Sequence, residues 1–230
     1  LPQPHRRCRS PLSAQRPVIH ILYPPRVPTH TSPTALPINI CKLMKSPGLM
    51  SLPEQFGPYE LHELINSGGM ADLFLATDEQ KQSLAIRRLQ KKGAFDFTSK
   101  RRFLSGCEVL SQIHNHEFVI GYITQGKISG SYFLAMEYIE GNNLKLLAAE
   151  NDPTLAENIG NVLIESAQAL EHVHDSGFIH LDFKPENIVL SRNAALRLVD
   201  FDLSLPKPDA PIKTKNNPGT PAYMSPEQLL

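Results

Sequence analysis

The chain carries FIHLDFKPENIVL at Phe178 to Leu190 and LRLVDFD at Leu196 to Asp202. In both pieces, short apolar runs flank turns that hold polar side chains at fixed offsets. A phosphoryl-transfer site needs a carboxylate that orients a hydroxyl, a cation for the moving phosphoryl group and two oxygen ligands for magnesium. The spacing predicts these roles, in that order, for Asp182, Lys184, Asn187 and Asp200.

These motifs resemble those of the protein kinase family. HLDFKPEN matches the catalytic-loop pattern H-R-D-x-x-x-x-N except at Leu181, and DFD matches D-F-G except at Asp202. GTPAYMSPE, from Gly219 to Glu227, resembles the end of the activation segment and its A-P-E motif, which small-molecule kinases of related fold lack. Lys184, two residues after Asp182, points to the serine/threonine branch. The style of these motifs is most similar to the bacterial members of the family.

Composition sets the broad class of the protein. A chain of 230 residues with 41% hydrophobic content can bury one core, here divided over two lobes. The formal net charge is zero, so nothing indicates a nucleic acid or an anionic membrane as partner. Cys8, Cys41 and Cys107 are odd in number and unpatterned, which predicts a reducing, cytoplasmic setting without disulfides or zinc. No apolar run reaches the roughly 18 residues of a membrane span, and the oligomeric state is left open.

The first 50 residues differ in composition from the rest. They hold ten of the twenty prolines, five Arg, two Lys and no acidic residue. Such a segment buries too little apolar area to offset its ordering entropy, so residues 1 to 52 are predicted to be disordered. A basic partner-binding tail, an Arg-rich transit peptide and a proline-rich ligand are alternatives. Residues 1 to 49 could also lie outside the natural product, because Met50 comes just before the first kinase-like strand.

The resemblance implies an α+β fold with two lobes over residues 58 to 230. The small lobe, residues 58 to 137, would be an antiparallel sheet with one helix, and residues 141 to 230 would form a mainly helical large lobe. The family's large lobe continues for several more helices than this chain offers. The expectation is therefore an incomplete domain, either a fragment of a longer protein or a truncated gene product.

The nucleotide site implied by the resemblance lies largely on the small lobe. YELHELINSGGMADLFLATD would form strand, glycine-rich loop and strand, with Asn66 chosen because Asn tolerates the left-handed backbone region. In SLAIRRLQ, Ala85 would cover the adenine and Arg87 would replace the usual lysine, while Arg88 would point to the other side as a solvated charge. Met136 would be the gatekeeper beside a hinge that reads adenine through its backbone. The predicted ATP contacts are Asn66, Gly68, Gly69, Ala71, Leu73, Ala85, Arg87, Met136, Glu137 and Ile139.

Two helices are predicted from apolar periodicity. Thr98 to Ile113 places an apolar residue at every third or fourth position, and Gly106 takes the position of the family's helix-C glutamate. Glu108 would face the other way, so Arg87 would lack a protein partner and serve only the phosphates. Leu155 to His174 forms the second helix, whose expected apolar stripe is Ile159, Val162, Leu163, Leu170 and Val173. His172 and His174 are expected to be packed or solvated and not to bind a metal.

Two functions from different classes follow. In the first, the protein is an ATP- and magnesium-dependent kinase that phosphorylates Ser or Thr of a protein substrate, with Asp182, Lys184 and Asn187 as catalytic residues and Asn187 and Asp200 as metal ligands. Thr220 would contact Asp182 and Lys184 and help to hold the substrate. In the second, the protein is a pseudokinase that binds nucleotide or a partner without phosphoryl transfer. The atypical residues that favour the second are Arg87, Gly106, Leu181 and Asp202.

Overall fold

The structure is a computed structural model that describes residues 52 to 90, 97 to 210 and 218 to 229. The predicted disordered segment, residues 1 to 52, lies outside the described residues except for Leu52. Cys8 and Cys41 lie outside them as well, whereas Cys107 is a free, buried thiol.

Within the described ranges, the small lobe contains six strands: β1 Glu54–Phe56, β2 Tyr59–Ser67, β3 Ala71–Thr77, β4 Ser83–Leu89, β5 Tyr122–Ile128 and β6 Ser131–Glu137. They form one antiparallel sheet in the order β1-β2-β3-β4-β6-β5. A tight turn joins β1 to β2 through Gly57, whose φ of +59° suits a residue without Cβ. The Asp78 side chain closes the turn between β3 and β4 by accepting hydrogen bonds from the backbone N–H groups of Gln80 (2.9 Å) and Gln82 (2.8 Å).

Helix α1, Phe97–Ile113, follows β4 and confirms the predicted helix at Thr98 to Ile113. Its apolar face is buried as the periodicity predicts, through Phe103, Cys107, Leu110 and Ile113. Glu108 is exposed, as expected for a residue about 200° around the helix from Gly106.

Arg88 corrects a prediction made from the strand period. Its side chain is only 12% exposed; it donates to Glu54 Oε1 at 2.8 Å and lies over the rings of Phe56 and Phe74. It is therefore not a solvated charge. The period of two shows only that Arg87 and Arg88 point to opposite faces of the sheet. Glu54, Phe56 and Phe74 cover the face on which Arg88 lies.

The part of the large lobe that the structure describes combines short strands with two helices and a third helix of four residues. Asn143 caps α2, Leu144–Ala149, by accepting from the N–H of Leu146, and Asp152 with Pro153 begins α3, Pro153–Asp175. Strands β7 Gly141–Asn143, β9 Ile188–Ser191 and β10 Leu196–Leu198 form a small sheet in the order β10-β9-β7. The remaining elements are β8 Phe178–Ile179, paired with β11 Leu205–Pro206, and α4 Pro226–Leu229.

The long helix α3 confirms the predicted element but only part of its apolar stripe. Val162 and Val173 are buried, together with Ser166 and Ala169 between them, whereas Ile159 and Leu163 are exposed at 49% and 65%. Each residue turns the helix by about 100°, so Leu163 points well away from the Val162 row. The spacing of apolar residues along a helix therefore does not show which of two neighbouring rows of side chains faces the core.

The core extends from the small lobe into the large one. Phe103, Leu110 and Leu134 of the small lobe belong to one buried cluster with Val162, Leu198 and Phe201. A second cluster, around Phe74 and Phe133, covers the opposite face of the sheet. The α+β class and the antiparallel small lobe are confirmed. Within the described ranges, no helix has the length and apolarity needed to cross a membrane.

Candidate active site

A cleft of about 760 Å3 is lined by residues of both lobes. Its volume falls in the range of about 300–1,000 Å3 that is common for small-molecule sites. Lys184 is not among the lining residues but contacts one of them, Asp182. The structure brings the other predicted site residues to the cleft, namely Asn66, Gly68, Gly69, Ala71, Leu73, Ala85, Arg87, Met136, Glu137, Ile139, Asp182, Asn187 and Asp200.

The hairpin between β2 and β3 forms one side of the cleft. The N–H of Gly68 donates to the carbonyl of Ala71 at 3.0 Å, and a Cβ at Gly69 would meet no atom within 4 Å. Asn66 pairs with Leu73 inside the antiparallel ladder and does not have a positive φ. Asn66 therefore does not use the tolerance of Asn for a left-handed backbone, because strand β2 extends further toward the loop than the motif suggests.

Four side chains of the catalytic loop and the segment after it form one hydrogen-bonded group. Lys184 Nζ donates to Asp182 Oδ2 at 2.7 Å and to Thr220 Oγ1 at 2.9 Å. The Thr220 hydroxyl donates to Asp182 Oδ1 at 2.7 Å, and Asn187 Nδ2 donates to the Asp182 carbonyl at 2.9 Å. The predicted contact of Thr220 with Asp182 and Lys184 is confirmed. Both carboxylate oxygens of the buried Asp182 are thus held in place.

Two residues of this region have a left-handed backbone without being glycine. Leu181 has φ of +64° and Asp200 has φ of +63°. Such conformations are unfavourable for residues with a Cβ and persist where the surrounding contacts impose them. Asp182, which follows Leu181, and Asp200 both line the cleft, so these backbone conformations occur at the site itself.

His180 connects the two motifs in the protein interior. The N–H of Asp182 donates to His180 Nδ1 at 3.3 Å, so the ring proton lies on Nε2, which donates to the carbonyl of Val199 at 3.3 Å. Burial lowers the pKa of His180, which keeps the ring neutral at physiological pH. The Phe201 ring packs against it with centroids 5.1 Å apart. The neutral imidazole therefore ties the catalytic loop to the segment that contains Asp200.

Arg87 has a protein partner, contrary to the prediction. Its Nη1 and Nη2 donate to the two oxygens of Asp202 at 2.7 and 2.5 Å, and Nη2 lies 3.4 Å from Asp200 Oδ1. Burial opposes the charge of Arg87, but the two carboxylates outweigh it and raise the pKa of the guanidinium. Burial also raises the pKa of Asp202, and the positive charge of Arg87 opposes that rise.

The hinge contains an ion pair that the sequence reasoning missed. Arg197 on β10 donates through Nε and Nη2 to the two oxygens of Glu137, each at 3.0 Å, and the N–H of Gly121 donates to the same carboxylate at 3.1 Å. The prediction used only the backbone of Glu137. The pair joins the end of β6 to the large lobe, and no sequence signal linked residues 60 positions apart.

Gln228 is a second residue that the sequence reasoning missed. Its Nε2 donates to the carbonyl of Leu181 at 3.1 Å and more weakly to that of Pro218 at 3.4 Å. Its Oε1 accepts from the N–H of Ser225 at 3.2 Å. Gln228 thus fastens the segment that contains Thr220 onto the catalytic loop without using a charge.

Asn187 and Asp200 offer oxygen atoms that suit magnesium. The amide nitrogen of Asn187 makes both hydrogen bonds to Asp182, which leaves the amide oxygen for an ion. Among the described residues, no three His, Cys, Asp or Glu side chains gather into a metal cage. A few protein oxygens together with ligand phosphates are the usual environment of magnesium, so the residues present fit this ion.

The comparison with protein families agrees with this geometry. Residues 59 to 230 match the family model described as protein kinase domain. The chain belongs to the protein kinase family. Strand β1 of this kinase domain precedes the matched range and lies between the two predicted segments, residues 1 to 52 and 58 to 230.

Relatives of this kinase domain are bacterial serine/threonine kinases. The chain is 30% identical over 178 residues to the probable serine/threonine-protein kinase PknB of Corynebacterium glutamicum, covering 74% of this chain and 27% of the relative. It is 29% identical over 174 residues to the serine/threonine-protein kinase PrkC of Bacillus subtilis, covering 75% and 27%. It is 28% identical over 177 residues to PknD of Mycobacterium tuberculosis, covering 76% and 26%. The chain thus spans about a quarter of the length of these relatives.

The departures of this kinase domain from the family pattern are connected in space. Asp202 pairs with Arg87, and a Cβ built at Gly106 would lie 2.5 Å from Asp202 Oδ1. Leu181 contributes its carbonyl oxygen to Gln228. Three of the four atypical positions therefore meet in one place beside the cleft.

Proposed function

We propose that this protein is an ATP- and magnesium-dependent serine/threonine kinase that transfers the γ-phosphate of ATP to a hydroxyl of a protein substrate. The observation that carries the proposal is the group formed by Asp182, Lys184 and Thr220, in which both oxygens of the Asp182 carboxylate accept a hydrogen bond. Such a carboxylate is positioned to accept the hydrogen bond of a substrate hydroxyl beside the cleft. The names of the bacterial relatives support the substrate class.

In the proposed reaction, the residues act by position and charge. Asp182 orients the substrate hydroxyl and takes its proton, while Lys184 neutralises charge on the transferring group. Asn187 and Asp200 would hold magnesium, which draws electron density from the phosphate oxygens when it is bound. Arg87 faces the same cleft and would contact the phosphates. The backbone of Glu137 and Ile139 would bind the adenine edge beside Met136.

The pseudokinase remains the alternative. Arg87, Gly106, Leu181 and Asp202 favour it because each departs from the family pattern. The held carboxylate and the full set of metal ligands favour the enzyme. The cytoplasmic location stays a prediction from the cysteine pattern.

A phosphoryl-transfer assay separates the two functions. The full-length protein, incubated with ATP labelled on the γ-phosphate, magnesium and a Ser/Thr-rich protein, should yield phosphoserine or phosphothreonine. Asp182→Asn should lower the rate by about 10²–10⁴-fold because the general base is lost. Asp175→Asn, at an exposed aspartate that ends α3, is the matched control and should act like the wild type. A protein that binds ATP but labels nothing would be the pseudokinase.

Activity should not require a phosphate on the activation segment. The Arg that usually precedes the catalytic Asp can pair with such a phosphate, whereas Leu181 cannot, and Gln228 already holds the segment through uncharged hydrogen bonds. Phosphatase treatment should therefore change the rate by less than about twofold, a difference under about 0.5 kcal/mol. A kinase with Arg at this position, treated in parallel, should lose activity. A large loss in both proteins would refute the prediction.

A further inference from the structure

Asp202 and Arg87 form the most closely paired charges beside the cleft. The guanidinium presents two N–H groups to the two carboxylate oxygens, and the side chains are only 18% and 7% exposed. A bidentate pair of this kind fixes the direction of the guanidinium as well as its position. Arg87 therefore cannot swing freely within the cleft that it lines.

Gly106 makes room for this pair. A Cβ at this position would lie 2.5 Å from Asp202 Oδ1 and 2.9 Å from both the backbone N and the Cα of Asp202. Any side chain on helix α1 at this point would displace the carboxylate. Glycine is disfavoured in the interior of a helix, so the close approach of Asp202 gives a physical reason for its presence in α1.

The three positions fit together as one arrangement. Asp202 lies two residues after Asp200, so the carboxylate that holds Arg87 comes from the segment that lines the cleft with Asp200 and Phe201. Helix α1 contributes space instead of charge. The resemblance to the family had placed the missing carboxylate on α1, at Gly106 itself.

We propose that Asp202 is the positioning residue that aims Arg87 at the nucleotide phosphates, and that Gly106 is the gap in α1 that admits its carboxylate. The inference rests on the proposed function in so far as Arg87 contacts ATP. In this arrangement Asp202, in the segment after β10, fixes the position of Arg87. Helix α1 affects Arg87 only through its contact with Asp202. A carboxylate supplied from α1 and one supplied from residue 202 are then alternatives that exclude each other.

The first test is a double-mutant cycle on ATP affinity, measured by calorimetry in the full-length protein with magnesium. Arg87→Met and Asp202→Asn should each weaken ATP binding by about tenfold. In Arg87→Met the phosphates lose their cation, and in Asp202→Asn the buried cation loses its charged partner. The double variant should be no weaker than Arg87→Met alone, since Asp202 acts through Arg87. Arg88→Met, on the same strand but facing Phe56 and Phe74, is the control and should leave affinity unchanged.

The second test moves the carboxylate. Gly106→Glu alone should weaken ATP binding by about tenfold or more, because its side chain meets Asp202. Asp202→Gly removes the partner and should have a similar effect. Asp202→Gly removes the contact with Oδ1, although the backbone N and Cα of residue 202 must still shift slightly to admit a Cβ at position 106. The combination of both should therefore recover part of the loss, because the new carboxylate can pair with Arg87 from α1. A merely structural role of Asp202 would give no such recovery.

The outcomes separate this inference from the proposed function. Additive losses in the first cycle, within about twofold, would overturn the inference. Coupling that appears in the thermal unfolding of the nucleotide-free protein but not in ATP affinity would also overturn it, because the pair would then serve stability only. The cycle supports the inference even if the combined variant of the second test fails to fold. A protein that shows the coupling but transfers no phosphate would refute the kinase proposal and leave this inference in place.

Discussion

Replacing Asp200 by alanine will remove the magnesium-dependent part of ATP binding, whereas Asp182→Asn will preserve it. In the proposed site Asp200 ligates the ion, while Asp182 is held by Lys184, Thr220 and Asn187 and meets the substrate hydroxyl. With magnesium present, we expect Asp200→Ala to lower ATP affinity by at least about tenfold, a difference of about 1.4 kcal/mol. Calorimetric titration and a thermal-shift series with ATP and magnesium measure this.

The same titration in a chelating buffer supplies the internal control. Without magnesium, Asp200→Ala should bind ATP at least as well as the wild type, because a carboxylate near the phosphates is gone. Asp182→Asn removes the same amount of charge from the loop and should retain the full response to magnesium. Equal loss of that response in the two variants would contradict the assigned roles.

Replacing Lys184 by methionine will lower turnover strongly but will have little effect on ATP binding. The ammonium group contacts Asp182 and Thr220, and its loss leaves the carboxylate and the transferring group without a positioned cation. Removal of one preorganised charged donor typically costs about 10²–10³-fold in turnover. A steady-state assay with saturating ATP and a protein substrate measures the change.

A matched pair at Thr220 tests whether the hydroxyl contributes to the same group. Thr220→Ser keeps the oxygen that accepts from Lys184 and donates to Asp182, so its turnover should stay near that of the wild type. Thr220→Val removes the oxygen at nearly the same volume and should lower turnover by about tenfold.

For the Lys184 prediction, Lys81→Met, at a side chain that is 74% exposed on the small lobe, is the control for loss of a lysine. Wild-type turnover in Lys184→Met would disprove the proposed role.

The core of the site could be predicted from sequence because its chemistry is local. Asp182, Lys184 and Asn187 lie in one loop, and the short strands around them fix their spacing, so a motif is enough to place them together. Asp200 comes just after β10, the strand that forms a hairpin with β9, so the same local pattern predicts its position. Thr220 could be added only through the family resemblance, because it reaches Asp182 across 38 positions of the chain.

The pairing of Arg87 could not be predicted because it depends on a contact between distant segments. Arg87 and Asp202 are 115 positions apart, and neither strand period nor helix period relates them. Arg87, Gly106 and Asp202 all depart from the family pattern, but that joint departure by itself indicates only that the usual partner of Arg87 is missing. The predictions for Arg88 and Leu163 were wrong for a similar reason. The hydrophobic period of a strand or helix gives the face on which a residue lies, but not which part of the protein covers that face.

Phe201 and Asp202 together limit the kinds of small molecule that the cleft can accept. The Phe201 ring is buried against His180, and the next residue is joined to Arg87 by two charge-assisted hydrogen bonds. A compound that occupied the space of the Phe201 ring would have to turn this segment and leave a buried guanidinium without its partner, which is costly. Inhibitors confined to the nucleotide space avoid that cost. The Arg87–Asp202 ion pair therefore disfavours inhibitors that displace the Phe201 ring relative to those that occupy only the nucleotide space.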